Sequence, residues 1–503
     1  DLDYSAGHYP HMSPGHLRFV CQASGVHCRI PDAPTYLELG FGRGVSLNLH
    51  AAASEGEFWG VDFNPSHLLQ ARDLAEGSGA DLRLSDESFA QFAARDDLPM
   101  FDVIALHGVW SWISTGNRDV IIELIRTRLQ PGGVVYLSYN CQPGWASLAP
   151  VRRLLELGRG AALCRDGAVG QVDAAVSFLK EVIAAQPRFF ADTPPAAEHA
   201  NRLTGKGQNY LAHEYLNADW WIPHFSDVAG DMARAKMSYA ASARVMDRVN
   251  DLNLTAGHLA LLERLKDPVL RESIRDFLVN QRFRPDVFVK GMVRMTVIEQ
   301  DRYWAEQNFA LVCPLEEIEF VASGVLGDAV LPEAVYRPMA GAMAGEDYAP
   351  RTVAQAIAGA GLTEIQKMEA VSAIVVLVGM DVLRPARSAT PTIKAQCRAY
   401  NDQVLDRAVI GTNLRHIAAP AVEGGIRCQR PEQLCLRAWN AGLQDPEPMA
   451  RQVWDVFRTT GERATKDGKE MVSSEDNLVI LTEMAERFLR QTLPLYRALG
   501  IVD

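Results

Sequence analysis

The chain has 503 residues, of which 48% are hydrophobic and 22% charged, and its formal net charge is −12. Because this length exceeds one ordinary hydrophobic core, we expect about three or four domains. The acidic balance disfavours general binding to nucleic acids, whose phosphates attract basic surfaces. The longest apolar stretch, near residues 370–379, is interrupted and too short for a membrane span, so a cytoplasmic protein is expected.

The N-terminal segment, residues 1–33, is rich in Tyr, His, Pro and Gly. A helix is predicted from Pro14 to Ser24, because proline suits the first helical position. We expect an arm that folds over a ligand, or alternatively an extended terminus packed on the surface. The histidines of this loop lack carboxylate or thiolate partners, and the eight cysteines form no C-x-x-C pair, so no metal is predicted.

A glycine-rich turn follows the first predicted strand. Residues 36–39 are mostly apolar and indicate a buried strand, and a helical pattern begins at Val45. Three glycines between them, Gly40, Gly42 and Gly44, let the backbone approach a ligand closely. A second strand ends at Asp62, about 20 residues on, where a ribose-binding carboxylate is expected. The two halves together predict a nucleoside pocket.

The spacing of the glycines distinguishes between nucleoside cofactors. A dinucleotide fingerprint is G-x-G-x-x-G, and its helix N-terminus receives a pyrophosphate. Here the spacing is G-x-G-x-G, and Glu38, two residues before the first glycine, would repel an anion. S-adenosylmethionine carries an ammonium and a sulfonium but no phosphate, so this methyl donor fits the pattern best.

The later elements keep the order of one known fold. A third strand at residues 82–85 ends in Asp86, a fourth covers 101–106, and a turn enters a fifth at 129–138. This order resembles the class I S-adenosylmethionine-dependent methyltransferases, α/β proteins with a Rossmann-like, seven-stranded, mostly parallel sheet. The resemblance implies S-adenosylhomocysteine as the product. The cofactor-binding residues that it implies are Tyr9, Glu38, Gly40, Gly42, Gly44, Asp62, Phe63, Asp86, Glu87 and His107.

Strings outside the glycine loop resemble a narrower bacterial subgroup. They lie at residues 3–14, 107–113, 138–145, 210–217 and 283–291. The subgroup carries a methyltransferase regulatory domain and includes the rickettsial outer-membrane-protein lysine methyltransferases. This resemblance implies N-methylation of lysine in a protein. The likeness fades beyond residue 291, and His8 interrupts the aromatic residues of the arm, so a different substrate stays open.

The pattern along the chain predicts the remaining domains. The core, 34–146 and 211–292, is interrupted by a helical insertion at 147–210 and closes with a reversed seventh strand. Strands near 293–297 and 309–312, three helices and a strand at 381–385 predict a winged-helix-like domain at 293–388. Its third helix has few basic residues, which favours protein contact over DNA. A helical domain, 389–503, is expected to cap the substrate cleft or to form a homodimer.

Methyl transfer is an in-line displacement, so the protein must align the reactants, exclude water and leave the nucleophile unprotonated. Residues that follow the fourth and fifth strands lie where ligands bind such sheets. The catalytic candidates are His107, Tyr139, Asn140 and His213. Aromatic faces attract cations, and the substrate-pocket candidates are Tyr4, Trp110, Trp112, Tyr215 and Trp220. A structural role is the alternative for His107 and Trp110.

We therefore predict a methyltransferase that modifies lysine side chains of a protein. A small-molecule N- or O-methyltransferase would use the same core with a closed pocket beneath the arm. A third interpretation is a non-catalytic S-adenosylmethionine sensor that contacts DNA or a regulator through the winged-helix unit. An open acidic cleft favours a protein substrate, and a sealed cavity favours a metabolite.

Overall fold

The computed structural model describes residues 7–161, 167–411, 414–466 and 469–503. A seven-stranded sheet forms its centre, in the order β3-β2-β1-β4-β5-β7-β6. The strands are β1 (Thr35–Leu39), β2 (Glu57–Val61), β3 (Leu82–Ser85), β4 (Phe101–Leu106), β5 (Leu129–Asn140), β6 (Met237–Ser242) and β7 (Phe283–Lys290). Only β7 runs antiparallel to its neighbours, β5 and β6. The predicted Rossmann-like sheet with a reversed last strand is confirmed.

Helices cover both faces of this sheet because both faces are apolar. Tyr36 and Val103 belong to one buried cluster, and the adjacent Leu37 and Ile104 belong to another, as the alternation of a strand requires. The helices of the core are α1 (Pro14–Ala23), α2 (Val45–Ala52), α3 (Pro65–Ala75), α4 (Phe89–Ala93) and α5 (Thr115–Arg128). The predicted helix of the arm is confirmed as α1, which the Ser13 hydroxyl caps by accepting from the backbone N–H of His16.

The segment after β5 is helical and has its own core. Its helices are α6 (Ala149–Ala161), α7 (Gly167–Ala184), α8 (Arg188–Asp192), α9 (Pro194–Leu203) and α10 (Gln208–Tyr215). Leu155, Leu179 and Tyr215 are among the buried residues of this cluster. The sheet then resumes after α11 (Phe225–Arg234), and α12 (Asn250–Asn253), α13 (Ala256–Glu263) and α14 (Pro268–Val279) lie between β6 and β7.

The next region combines helices with a small sheet in the order β11-β8-β12 and a separate hairpin of β9 and β10. The elements are α15 (Val297–Glu306), β8 (Asn308–Leu311), β9 (Val321–Gly324), β10 (Gly327–Val330), α16 (Glu333–Ala344), β11 (Arg351–Thr352), α17 (Val353–Gly359), α18 (Glu364–Gly379) and β12 (Leu383–Ala386). Helices α16, α17 and α18 and strands β8 and β12 were predicted from the sequence. The winged-helix likeness stays a prediction.

The strand predicted at residues 293–297 is wrong, because a helix begins there. The Thr296 hydroxyl accepts from the backbone N–H of Glu299, and the Glu299 carboxylate accepts from the backbone N–H of Thr296. This capping box starts α15 at Val297 and outweighs the β-branched residues around it. The hairpin of β9 and β10, which turns at residues 325 and 326, was not predicted.

The last region is mainly helical, as predicted, with two short hairpins in addition. Its elements are α19 (Pro391–Ile410), β13 (His416–Ala419), β14 (Gly424–Arg427), α20 (Arg430–Asn440), α21 (Pro446–Thr460), β15 (Thr465–Lys466), β16 (Lys469–Glu470), α22 (Ser474–Arg487) and α23 (Leu493–Ala498). The hairpin of β13 and β14 packs against α2. Across the described ranges, no helix is long and apolar enough to cross a bilayer.

A buried ion network fastens the reversed strand to its surroundings. Arg284, at the start of β7, pairs with Asp286 at 2.9 Å, with Glu272 at 3.0 Å and with Asp276 on α14. The Tyr139 hydroxyl, from β5, donates to Asp286 at 2.6 Å. Because burial removes the solvation of these charges, the cation and the carboxylates depend on one another.

We expect Arg284→Met to lower the free energy of unfolding by about 3–5 kcal/mol, because it leaves buried carboxylates without a counter-charge. Urea denaturation followed by circular dichroism measures the loss. The control is Arg302→Met, which breaks an exposed pair with Glu306 and should cost about 0.5 kcal/mol or less. Equal losses in the two variants would contradict this account of the network.

Candidate functional site

A cavity of about 510 Å³ lies at the carboxyl ends of β1, β2 and β4. The glycine loop, the N-terminal arm, the loop after β4 and the residues after α10 form its walls. Phe63 lines this cavity and is 78% exposed, so the cavity opens to solvent at that residue. Volumes of ~300–1,000 Å³ are typical of ligand pockets, so the cavity can hold a nucleoside cofactor.

The glycine loop leaves space where a ligand would lie. Gly40 and Gly42 both have left-handed backbones, with φ of +77° and +56°. A Cβ on Gly40 would lie 2.5 Å from Cγ2 of Val109, whereas a Cβ on Gly42 would meet nothing within 4 Å. Gly40 therefore permits close packing of the loop on the segment after β4, and Gly42 borders the open cavity.

Asp62, at the end of β2, is held by the loop that it faces. Its Oδ2 accepts from the backbone N–H of Gly42 at 2.9 Å, and its Oδ1 accepts from the backbone N–H of Asn64 at 3.0 Å. Nδ1 of His67 lies 3.1 Å from the same Oδ1. These contacts fix the carboxylate at the cavity wall, where the sequence predicts a ribose-binding acid.

Glu38, at the carboxyl-terminal half of β1, is a buried carboxylate that lines the cavity. Its Oε2 receives no hydrogen bond from any of the described residues. Burial, with a further contribution from the nearby Asp62, raises the pKa of Glu38 well above its ordinary value. A cationic group bound in the cavity would supply the missing counter-charge, which is the property of an aminoacyl head with an ammonium.

The N-terminal arm contributes Gly7 and Tyr9 to the lining of the cavity. The backbone N–H of Tyr9 donates to Oγ of Ser46, on α2, at 2.8 Å. The Tyr9 ring stacks on the His107 ring with 3.6 Å between centroids and 29° between planes. Tyr4, which was expected in the substrate pocket, lies outside the described residues.

His107 follows β4 and lines the cavity. Its Nδ1 lies 2.8 Å from the Tyr136 hydroxyl and 3.2 Å from Oγ of Ser138, both on β5. Burial lowers the pKa of His107 to about 4. The imidazole is therefore neutral at pH 7 and is held in place by β5, but it is a weak base for an ammonium group.

Acidic and amide side chains at and after the end of α10 form another part of the wall. Glu214, Asn217 and Asp219 line the cavity there, and Glu87 lines it after β3. Arg95 pairs with Glu87 at 3.1 Å. Glu214 and Asn217 lie within the string at residues 210–217, from which His213 and Tyr215 were predicted as site residues, whereas Asp219 was not predicted.

Most of the predicted cofactor residues come together around this cavity. Those that line it are Tyr9, Glu38, Gly40, Gly42, Gly44, Asp62, Phe63, Glu87 and His107, with Trp112 from the predicted substrate pocket. Asp86 does not line it, because its side chain is exposed beside Glu87. The side chain of His213 lies outside what the structure describes.

The other predicted residues lie away from the cavity. Tyr139 is buried against Asp286, and the backbone N–H of Asn140 is bonded to Ser111. Trp110 is completely buried among the side chains of the sheet face, because the short 3-10 turn at Trp110–Trp112 directs the two rings differently.

Tyr215 and Trp220 belong to the core of the helical insertion. The Tyr215 hydroxyl contacts Nε2 of His199 at 2.8 Å, and the Arg152 guanidinium lies 4.5 Å from the Trp220 ring centroid. Both aromatic rings pack near Trp145. Their positions anchor the insertion beside the cavity, and their neighbours Glu214, Asn217 and Asp219 reach the wall.

Comparisons with known proteins agree with this geometry. A methyltransferase domain model matches residues 37–133, and a predicted methyltransferase regulatory domain matches residues 207–290. The uncharacterized protein sll1526 of Synechocystis is 32% identical over 509 residues, covering 100% of this chain and 98% of that protein. The structure of PKMT2 from Rickettsia typhi in complex with AdoHcy superposes with a TM-score of 0.71 at 18% identity, covering 97% and 98% of the two chains.

The chain belongs to the class I S-adenosylmethionine-dependent methyltransferases that carry a methyltransferase regulatory domain. A further relative, the uncharacterized protein RP789 of Rickettsia prowazekii, is 24% identical over 286 residues, covering 56% of this chain and 51% of that protein. The predicted cofactor, S-adenosylmethionine, is confirmed. The cavity suits this cofactor, because the buried and unpartnered Glu38 can receive its ammonium and Gly42 leaves space for the ligand.

The two glycines provide a test of the loop. We expect Gly40→Ala to lower the free energy of unfolding by about 2–4 kcal/mol, because a left-handed alanine would also overlap Val109. Gly42→Ala should cost only about 1 kcal/mol, yet weaken binding of S-adenosylhomocysteine roughly tenfold by narrowing the cavity. Urea denaturation and titration calorimetry measure the two effects. Equal destabilisation of the two variants would refute the assigned roles.

The raised pKa of Glu38 predicts a pH dependence of cofactor binding. Below that pKa the free protein holds Glu38 protonated, and a bound ammonium favours the ionised form, so binding releases a proton. The affinity for S-adenosylhomocysteine should therefore rise with pH, by up to about tenfold per unit, and level off above the pKa of the free protein.

Titration calorimetry in buffers of different ionisation enthalpy measures this proton release between pH 5.5 and 8. The matched variant is Glu38→Gln, which should bind more weakly and without the rise in affinity. An identical pH profile in both proteins would exclude Glu38 as the group that receives the ammonium.

Proposed function

We propose that this methyltransferase N-methylates lysine side chains of a protein substrate and that the cavity beside the glycine loop is its active site. The observation that carries the proposal is the charge of the wall. Among the described residues, five carboxyl groups line the cavity, on Glu38, Asp62, Glu87, Glu214 and Asp219. The arginines beside them are Arg43, which also lines the cavity, and Arg95, which pairs with Glu87. An excess of negative charge in a concave site attracts a cationic acceptor such as lysine.

The carboxylates divide between two tasks in this proposal. Glu38 and Asp62 lie at the ends of β1 and β2, where they would hold the ammonium and the ribose hydroxyls of the cofactor. Glu214 and Asp219 line the cavity at the end of the helical insertion, where they would receive the lysine ammonium. Bound S-adenosylmethionine supplies an electrophilic methyl group, and the protein supplies alignment and exclusion of water.

The stacked rings of Tyr9, from the arm, and His107, after β4, form part of the cavity wall. Their faces suit a sulfonium or an ammonium, because the ring quadrupole attracts cations. With a pKa of about 4, His107 is too weak a base to deprotonate lysine efficiently. We infer that His107 positions Tyr9 and that the lysine proton leaves to solvent through the opening at Phe63.

The open acidic wall favours a polypeptide over a metabolite. A small substrate needs a site that closes around it, whereas Phe63 at the rim of this cavity is exposed. Similarity to PKMT2 of Rickettsia typhi extends over 97% of the chain and is compatible with this choice of substrate. A small-molecule N- or O-methyltransferase remains the second candidate, and the following experiment separates the two.

Incubation of the protein with methyl-labelled S-adenosylmethionine and whole lysate should transfer label to proteins, where acid hydrolysis recovers methylated lysine. With a labelled protein or its peptide as substrate, Asp219→Asn should raise KM about tenfold or more, because it removes one carboxylate from the acceptor wall.

The control is Asp86→Asn, an exposed carboxylate that lies next to Glu87 without lining the cavity, and its KM should stay unchanged. Label found only in small molecules would overturn the protein substrate. A KM that responds equally to both variants would mean that general acidity, and not the wall at Asp219, attracts the substrate.

A further inference from the structure

A second cavity, of about 310 Å³, lies beyond the start of β7. It is bounded by the ends of β6 and β7, by α13 and α14, and by the turn between β9 and β10. Most of its lining residues fall within the stretch 207–290 that the regulatory-domain model matches. None of the residues that line the first cavity lines this one.

The floor of this cavity has more carboxylates than cations. Asp276, Asp286 and Glu272 line it and share one guanidinium, that of Arg284. The donors of Arg284 are already engaged, since Nε donates to Asp286, Nη1 to Asp276, and Nη2 to Glu272 and the Tyr239 hydroxyl. The network therefore leaves excess negative charge at the floor.

One carboxylate oxygen of this floor lacks a donor. Asp276 is 3% exposed, and its Oδ2 receives no hydrogen bond from the part of the chain that the structure describes. Burial raises the pKa of Asp276 to about 7 despite the neighbouring Arg284. A buried polar atom without a partner is costly, and a ligand that donates to it would remove the cost.

The other arginines that line the cavity do not supply this donor to Asp276. Arg275 donates to Oδ1 of Asn250 at 3.0 Å and to the backbone carbonyl of Asp247, and Arg248 donates to the Ser24 hydroxyl. At the mouth, Glu263 and Arg271 carry opposite charges. The unsatisfied acceptor and the uncompensated charge are therefore both at the floor.

We propose that this cavity is a second binding site, for an alkylammonium or alkylguanidinium group that donates to Asp276. Its volume is that of about ten water molecules, so the group is a small amine or the end of a long side chain. The methylene part would contact Leu259, Leu262 and Val325, which are the apolar members of the lining near the mouth.

The two cavities lie close to each other. The centroid of the Phe283 ring lies 6.0 Å from the centroid of the His107 ring. The Arg244 guanidinium lies 5.8 Å from the same Phe283 centroid. Arg244 in turn pairs with Asp247, which lines the second cavity, at 3.7 Å. The cation at Asp276 has two possible sources. One is a free amine. The other, which rests on the proposed protein substrate, is a basic side chain of the polypeptide whose lysine enters the first cavity.

Titration calorimetry with butylamine and with methylguanidinium, with S-adenosylhomocysteine at saturation, tests the site directly. Saturable binding of at least one cation is expected, and butanol, which is a neutral isostere of butylamine, should not bind. This measurement needs no methyl transfer, so its result does not depend on whether the proposed protein substrate is correct. Absence of saturable binding by both cations would overturn the proposal.

Two variants locate the binding. Val325→Trp fills the mouth from the half-exposed hairpin turn and should weaken binding at least tenfold. Val330→Trp is its control, because Val330 is exposed on the same hairpin and does not line the cavity. Asp276→Asn should also weaken binding at least tenfold. Equal affinity in the Val325→Trp and Val330→Trp proteins would overturn the location, even if Asp276→Asn fails to fold.

The same variants distinguish the two sources of the cation in a methylation assay. If a substrate side chain occupies the site, Val325→Trp raises KM for a peptide with a second basic residue but not for one without it, and butylamine competes with the former. If a free amine occupies it, both peptides respond alike and butylamine does not compete. Either result supports the cation site.

Discussion

The site depends on a difference in hydrogen bonding between two buried acids, which lie near the ends of neighbouring strands. Asp62 accepts hydrogen bonds from Gly42 and Asn64, whereas Oε2 of Glu38 accepts none from the described residues. A buried carboxylate without a partner destabilises the folded protein, and a cation bound beside Glu38 would remove that cost. This constraint explains why an acid can stand before the glycines here, where a pyrophosphate-binding loop would exclude it. The glycine loop serves both acids, since its backbone satisfies Asp62 and its open side leaves Glu38 facing the ligand.

The N-terminal arm and the C-terminal region contact each other and α2, the helix that follows the glycine loop. Tyr9 covers the cavity, while the preceding residue, His8, approaches the Gly425 carbonyl through Nε2 at 3.2 Å. The His8 ring also packs against His50 of α2 and His416 of β13, with 5.4 and 4.9 Å between centroids. Burial lowers the pKa of His50 to about 3, so this contact is between neutral rings. The described part of residues 389–503 does not line the first cavity, and its contribution to that site is to hold the arm and α2 in place.

The sequence predicted the parts of the fold that local pattern determines, and missed those that tertiary packing decides. Strand periodicity and the glycine spacing located β1 to β7, Glu38 and Asp62, because each signal spans only a few residues. Trp112 lines the cavity whereas Trp110 is buried, and this difference depends on how a single 3-10 turn packs against the sheet. The periodicity of the sequence does not predict that packing. The Tyr139 side chain donates to Asp286, a residue 147 positions away in the sequence, and does not line the cofactor cavity. Asp219 reaches the wall only because the insertion packs beside the core, so nothing local marked it as a site residue.

The reversed strand β7 lines the second cavity and contacts His107, a residue of the first. Its first residue, Phe283, lies against His107, and Arg284 and Asp286 carry the ion network of the second cavity. Asp286 accepts from Tyr139, and the residue next to Tyr139 on β5, Ser138, accepts from the backbone N–H of Gly108 and contacts His107. Asp276 is thus connected to the His107 ring by hydrogen bonds through Arg284, Asp286 and Tyr139, by the backbone of β5 from Tyr139 to Ser138, and by the contact of Ser138 with His107. Since Arg284 donates to Asp286 and to Oδ1 of Asp276, a cation bound at Oδ2 of Asp276 would share that carboxylate with the guanidinium, and Arg284 belongs to the strand whose first residue contacts His107.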